Sequence, residues 1–488
     1  MENEAKQQTI PTCADESVPR AVASEAPSIK SFAKASLATA RGTDKASLAT
    51  ARGTDSEVVR TGRTISDLGV WRGGMTPSKA VAAYWNDGTV PWVTPKDMGV
   101  PTISNTMDLI SERALNESGL FLFNPGCVAV VFRSGVLKHT LPVAHAAVPF
   151  TVNQDIKVLQ PGDDVDSRFA YHTLTALGPR IIKAAVKVGT TVESVDLATF
   201  LRVPVFLPGE EEQRRIAKIL DTVDAAIRLT EALIAKHKQM KAGLLHHLLT
   251  RGIDKNGRLR DPHRHPEQFK QSPLGLIPKE WEVVSLGETL SLLYRYPTYY
   301  GIEYVEDGIP EIRGELIQDD GSFDSRKKFY RYVTEETARR FPKVRVIAGD
   351  FVMSVRGTVG KIARVSDDLS GAVITANLIR MQFAPSIVRN EWAHHFLRSR
   401  FFQNKLDFAT SGTTIRTIQV PALSKICFAR PGINEQLQIA ERLDIQDRIL
   451  EFEEHRRDKL LQLKRGLMRD LLTGRVRVNE QKLEAVAG

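Results

Sequence analysis

A long internal repeat constrains this chain more than any other feature. The string PGEEEQRRIAKILD, beginning at Pro208, returns as PGINEQLQIAERLD at Pro431, an offset of 223 in the numbering. The same offset pairs KAGLLHHLLT at Lys241 with KRGLMRDLLT at Lys464, and Gly-Thr-Thr at 189–191 with Gly-Thr-Thr at 412–414. It also pairs Ala170 and His172 with Ala393 and His395, and Gly126 and Arg133 with Gly349 and Arg356. From about residue 126 to 252 the alignment needs no gap. A repeat of this period is one structural unit made twice, so the chain is expected to hold two units, each a globular part followed by a helix.

Both helices open after Pro-Gly. The first is expected from about Glu210 to Thr250, with Gly252 ending it, and the second from about Asn434 to Thr473. Ile216, Leu220, Val223, Ile227, Ile234, Met240, Leu244 and Leu248 recur at steps of mostly three, four or seven, which puts them on one helix side. Ile439, Leu443, Leu450, Leu460, Leu463, Leu467 and Leu471 form the matching stripe. Some forty residues at 1.5 Å each make a rod of about 60 Å, too long to bury against one small domain. Two such rods with matched stripes are expected to lie on each other as an antiparallel coiled coil. Gly243 and Gly466 stand at equivalent places near the helix ends. Close helix approach is one explanation and a bend is another.

The globular parts, 63–208 and 278–431, read as mixed α and β. GCVAVVFRSG (126–135) and GDFVMSVRGTVGKIARV (349–365) are strand-rich segments with glycine turns. Ser167–Leu177 and Glu391–Phe402 read as helices. The spacer helices then cover 209–252 and 432–475, a Pro/Gly/charged connector covers 253–277, and 476–488 is a C-terminal tail. Residues 1–62 carry KASLATARGTD twice in tandem, at Lys34–Asp44 and Lys45–Asp55, and read as a disordered tail; the alternative is a short arm that contacts DNA. The fold class is α+β: two mixed α/β domains, a pair of long antiparallel helices, and an internal pseudo-twofold repeat.

The sequence offers little that could do chemistry. It holds no GxGxxG and no complete phosphate-binding loop. GTVGK at Gly357–Lys361 is too short and is followed by Ile362, so it reads as a β-turn with a basic residue. Asn124-Pro125-Gly126-Cys127 lacks the second proline and the aromatic of an amino-methyltransferase loop. The adjacent pairs His246-His247 and His394-His395 point about 100° apart on a helix and make no natural chelate. Cys13, Cys127 and Cys427 are widely spaced, so no metal or disulfide framework is expected. No catalytic or metal site is expected, and a cytoplasmic protein without a signal peptide or membrane span is.

Binding chemistry remains. The formal net charge of +9 suits a polyanionic partner. Each globular part has a matched basic turn, at Arg133 and Arg356, and matched threonines, Thr190 and Thr191 against Thr413 and Thr414. Arginines and threonine hydroxyls reach phosphate oxygens or base edges. With Lys96, Arg313 and Lys361 these form the candidate DNA-contacting set.

From about 63 to 478 the chain resembles the specificity subunit of a type I restriction–modification enzyme. The resemblance rests on GGMTPSKAVAAYWNDGTVPWVTPKDM (73–98), VNQDIKVL (152–159), LPGEEEQRRIAKILDTVDAAI (207–227), FKQSPLGLIPKEWEVVSLGE (269–288) and GIPEIRGELI (308–317). It implies two target recognition domains held apart by the helices, each reading half of a split DNA sequence. It implies two methylation and two restriction subunits as partners, with S-adenosylmethionine, ATP and magnesium on those partners and none on this chain. A rod of about 60 Å equals roughly 17 base pairs at 3.4 Å each, the right order for two half-sites. Two rival readings are a fused adenine methyltransferase and a coiled-coil adaptor.

Overall fold

A computed structural model describes residues 62–187, 192–295, 302–356, 358–408, 410–411 and 417–478. The tandem 11-mer and both Gly-Thr-Thr strings lie outside these residues. The chain divides into two compact units, Met1–Asp224 with Gln462–Gly488, and Ala225–Leu461. Each unit thus combines a globular part with segments of both long helices.

In the first unit the main sheet is built from β1 (Gly69–Gly73), β3 (Thr102–Ile103), β5 (Val128–Val131), β6 (Val143–Ala146) and β8 (Ile156–Pro161), in the order β1-β8-β5-β6-β3. Only the β3–β6 pair is parallel. A smaller sheet joins β2 (Val90–Val93) to β4 (Asp108–Ile110) and β7 (Thr151–Val152). The centre of the main sheet is the apolar run Val-Ala-Val-Val of β5, buried on both faces. One face is covered by α1 (Ser167–Ala185), through Ala170, Tyr171, Leu174 and Ile181. Asp166 caps α1 by accepting the Phe169 amide at 2.8 Å. The helix runs past the expected Leu177 and through Pro179, because Ile181 and Ala185 continue its buried face.

The second unit repeats the plan. Its main sheet holds β9 (Leu290–Arg295), β13 (Phe351–Ser354), β14 (Ile362–Arg364) and β16 (Leu378–Phe383) in the order β9-β16-β13-β14. The smaller sheet holds β10 (Tyr304–Val305), β11 (Ile309–Ile312), β12 (Arg331–Val333) and β15 (Val373–Ile374) in the order β10-β12-β11-β15. Gly126 and Gly349 enter the central strands at φ 92 and φ 90, where side chains are disfavoured. The gapless alignment does not hold through the strands that follow. Val128 pairs with His145, and its counterpart Phe351 pairs with Arg364, so the β6 and β14 strands are offset by 219 rather than 223. The hairpin of the second unit is therefore four residues shorter. Val128 also pairs with Leu159, and Phe351 with Met381, so the offset has recovered to 222 at β8 and β16. The full 223 returns by Asp166 and Arg389, whose amides make equivalent bonds.

The expected helix over Glu391–Phe402 is two helices, α3 (Asn390–Arg398) and α4 (Arg400–Phe408). Ser399 breaks them: its backbone is extended, and its hydroxyl donates to the Phe396 carbonyl and accepts the Phe402 amide.

The long helices are α2 (Glu210–Thr250) and α5 (Ile433–Leu471). Three glutamates in the first turn of α2 oppose the positive end of its dipole. Their apolar stripes form helix–helix seams. In the first unit Ile216 and Leu220 pack with Leu467, Leu471 and Phe169. In the second unit Leu248 and Leu244 pack with Ile439 and Leu443. Ile227, Ile234, Leu450 and Leu460 are buried, and Leu463 is half-buried. Met240 departs from the expectation at 50% exposed. The polar contacts fix the direction. In the first unit Arg477 meets Glu212, and Lys464 meets Asp224. In the second Lys241 meets Asp447, and Lys238 meets Glu454. In each unit one partner rises in number as the other falls, so the segments are antiparallel.

Candidate nucleic-acid interface

The matched arginines occupy one structural position. Arg133 follows β5, and its backbone bridges Ser194; Arg356 follows β13 and bridges Thr417. The neighbouring bonds repeat as well. The Val195 amide donates to the Phe132 carbonyl at 2.8 Å, and the Ile418 amide to the Val355 carbonyl at 3.1 Å. Both arginines are exposed. Each is therefore tied to the strand just after its Gly-Thr-Thr string, although Thr190, Thr191, Thr413 and Thr414 themselves lie outside the described residues.

Lys96 is exposed on a turn held by Asp97, whose carboxylate accepts the amides of Thr94 and Met107, each at 2.8 Å. Arg313 and Lys361 are engaged within the protein. Arg313 pairs with Glu315 at 2.6 Å and donates to the Phe329 carbonyl. Lys361 donates to the Ile317 carbonyl at 3.3 Å and faces Asp319 at 3.5 Å. It lines a polar cleft with Lys241, Gln318, His395, Arg398 and Gln403.

Sequence reasoning missed the groups that mount each recognition domain on its helix. The Gln213 amide nitrogen donates to the carbonyls of Pro208 and Asp164, and its oxygen accepts the Asp166 amide. Gln436 does the same with Pro431, Ile387 and Arg389, each at the repeat's offset of 223. His172 donates to Asp221 at 2.8 Å, and His395 to Asp444 at 2.7 Å. Burial pushes the Asp221 carboxyl up, but hydrogen bonds from His172 and Arg168 outweigh it and hold the group below the usual carboxylate range. Burial also lowers the His395 imidazole against the pull of Asp444. Glu212 accepts the Val478 amide and pairs with Arg477, while Glu435 accepts the Ile253 amide and pairs with Arg260. The signal lay in the repeated Glu-Gln at 212–213 and 435–436, which the apolar stripe overshadowed. The segment 324–345 carries eight basic and three acidic residues, a net +5 within a chain of +9.

Two similar α+β units, each mounted on paired helix segments, make a chain of duplicated plan. The family model described as type I restriction modification DNA specificity domain matches residues 61–239 and 278–462. The chain therefore belongs to that family and is a type I restriction–modification specificity subunit. It is 37% identical over 172 residues to the specificity subunit of the EcoR124I/EcoR124II enzyme of Escherichia coli, covering 35% of this chain and 43% of that relative. It is 27% identical over 327 residues to the MjaVIII specificity subunit of Methanocaldococcus jannaschii, covering 66% of this chain and 73% of that one. The chain thus spans less than half of the first relative and nearly three quarters of the second. The crystal structure of the S subunit from M. genitalium shares the fold, with a TM-score of 0.51 at 15% identity, over 86% of this chain and 98% of that one.

Proposed function

We propose that the chain reads a split, asymmetric sequence in duplex DNA, one half per recognition domain. It directs adenine methylation and restriction carried out by two methylation and two restriction subunits in the cytoplasm. S-adenosylmethionine, ATP and magnesium belong to those partners, and this chain acts without catalysis of its own. One observation carries the reading. The two units share their mounting bonds residue for residue at an offset of 223, yet differ in the loops they expose. Shared mounts with unlike surfaces are what two readers of unlike half-sequences need. Mapping N6-methyladenine in a cell that carries this chain with its methylation subunits tests it. A two-part motif with a fixed gap is expected, and exchange of residues 63–208 for those of another specificity subunit should change one half alone. A single uninterrupted motif, or S-adenosylmethionine bound by the isolated chain, would speak for a fused methyltransferase. Sequence-independent binding by the assembled complex would speak for an adaptor.

A further inference from the structure

The smaller sheets reveal a correspondence that identity alone hides. In the first unit β2 pairs with β4 through Trp92↔Asp108 and Val90↔Ile110. In the second β11 pairs with β12 through Glu311↔Arg331 and Ile309↔Val333. Asp108 and Arg331 hold the same place, again at the offset of 223. The segments leading into them, 94–107 and 313–330, are therefore one loop in two versions, the second longer by four residues.

Their exposed side chains differ. The first version exposes Val100 and Met107, the latter at 77%. The second exposes Arg326, Lys328 and Phe329 and leads into exposed Arg331. The Arg326 guanidinium lies 4.3 Å from the centre of the Phe329 ring, and the Lys328 ammonium 5.1 Å from the same ring. Asp324 fixes the turn by accepting the Arg326 amide at 3.0 Å and pairing with its guanidinium. Arg313 holds the Phe329 carbonyl from below. Arg331 stands 5.5 Å from the Tyr304 ring. Among the described residues, neither Lys328 nor Arg331 forms an ion pair with a carboxylate.

The geometry points to this loop as a DNA contact of the second recognition domain: Lys328 and Arg331 seat backbone phosphates, and the Phe329 ring lies against a sugar or base. The inference rests on the DNA-reading function proposed above and assigns residues to it. An exposed aromatic ring beside cations suits the flat bases and anionic phosphates that alternate along a strand. The first unit's version offers Val100 and Met107 to base or methyl surface and the single cation Lys96 to a phosphate. The two half-sites should therefore differ in salt dependence, most of it arising in the second domain.

The test uses the full chain assembled with its methylation subunits and a pool of random-sequence duplexes, selected by binding and then sequenced, and with the selected duplex titrated across salt concentrations. Lys328→Ala with Arg331→Ala should reduce the slope of log affinity against log salt by about 2, near 0.9 per lost phosphate contact. Phe329→Ala should degrade one half of the selected motif and leave the other intact. Arg331→Lys should keep the slope, and all variants should melt with the unaltered chain, since these side chains are exposed. If the unaltered complex selects a two-part motif while slope and motif survive all substitutions, this assignment is overturned and the DNA-reading function stands. If the unaltered complex selects nothing, both fall.

Discussion

Lys464 Nζ lies 2.6 Å from Oδ1 of Asp224, joining the late turns of α5 to the middle of α2 in the first unit. The same bond exists in the second unit with the helices exchanged, between Lys241 and Asp447, each residue 223 positions from its counterpart. The repeat thus exchanges helix partners between its two halves.

The Asp224 pair should be worth measuring because both side chains are mostly buried, at 20% exposed for Lys464 and 11% for Asp224. Asp224→Asn leaves the ammonium without its counter-charge and is expected to cost about 2 kcal/mol. The exchange Asp224→Lys with Lys464→Asp should recover part of that loss. Denaturant midpoints of the two variants check this. A loss below about 0.5 kcal/mol for Asp224→Asn would mean that water, not Asp224, satisfies Lys464.

The helical glycines separate the two explanations given for them. A Cβ built on Gly243 or Gly466 meets nothing within 4 Å among the described residues, so close approach of a helix within either unit is not their reason. Gly243→Ala and Gly466→Ala should each stabilise the chain by about 0.5–1 kcal/mol, through helix propensity alone. Thermal unfolding of the single variants reads this directly. Destabilisation would show that a bend at these positions matters to the fold.

What was legible in the sequence depended on the kind of physics involved. The long helices and their seams follow from periodicity, which survives any exchange of one aliphatic residue for another at Leu220 or Leu443. The shifted hairpin did not show, because a deletion of four residues was compensated before Arg389 and the identities on both sides stayed in register. Ser399 gave no warning of a helix break, since a serine can face solvent in a helix as easily as cap a new one. The loop around Phe329 escaped for the opposite reason. A search for likeness between halves passes over the place where they differ most, and only the strand pairing of Arg331 recovers it. Arg313 and Lys361 stand out in the sequence by charge alone, and charge does not tell whether a side chain meets solvent or a neighbouring carbonyl.

Acid should weaken the second unit through His394, against the opposite effect of Glu311 and Asp350, whose carboxyls burial pushes up. Burial, reinforced by Arg398, lowers His394 from 6.5 to about 3, and its ring nitrogen accepts from that guanidinium. The folded state holds His394 neutral while the unfolded chain protonates it below pH 6.5. The contribution is thus fully present above pH 6.5 and is lost as pH falls toward 3. At pH 5 the loss is about 2 kcal/mol, at about 1.4 kcal/mol per pH unit. His145, lowered to about 4 mainly by burial, acts in the same direction in the first unit. Asp324, held near 2 by its bond with Arg326, adds its effect only below about pH 4. Denaturation at pH 7 and pH 5 should show the loss, and His394→Gln should shrink it. An unchanged pH 7-to-5 difference in that variant would mean that other groups carry it.

Gly252 is where the end of α2 meets the mount of the second unit. Its φ of 61 is left-handed, the conformation that ends a helix and that residues with a Cβ adopt at a cost. An added Cβ would also stand 2.1 Å from Oε1 of Glu435, 2.5 Å from the Trp281 ring and 2.7 Å from the Arg260 guanidinium. Those three groups form one cluster. Glu435 accepts from Arg260 at 2.6 Å, from the Trp281 indole at 2.9 Å and from the Ile253 amide at 2.8 Å. Trp281 is fully buried and Glu435 nearly so, so none of them can step aside into solvent. Gly252→Ala therefore combines backbone strain of about 1 kcal/mol with a displaced buried ion pair worth about 3 kcal/mol. Glu435→Gln keeps the shape and removes the charge, and should cost less than Gly252→Ala. Gly474 provides the internal comparison, with φ 72 and the Phe206 ring 2.7 Å from an added Cβ. Its substitution should strain the backbone equally but press only on an apolar ring, and so cost less than Gly252→Ala. Equal melting temperatures for Gly252→Ala and the unaltered chain would show that the cluster can open without loss, and that the mount is not a fixed point of the fold.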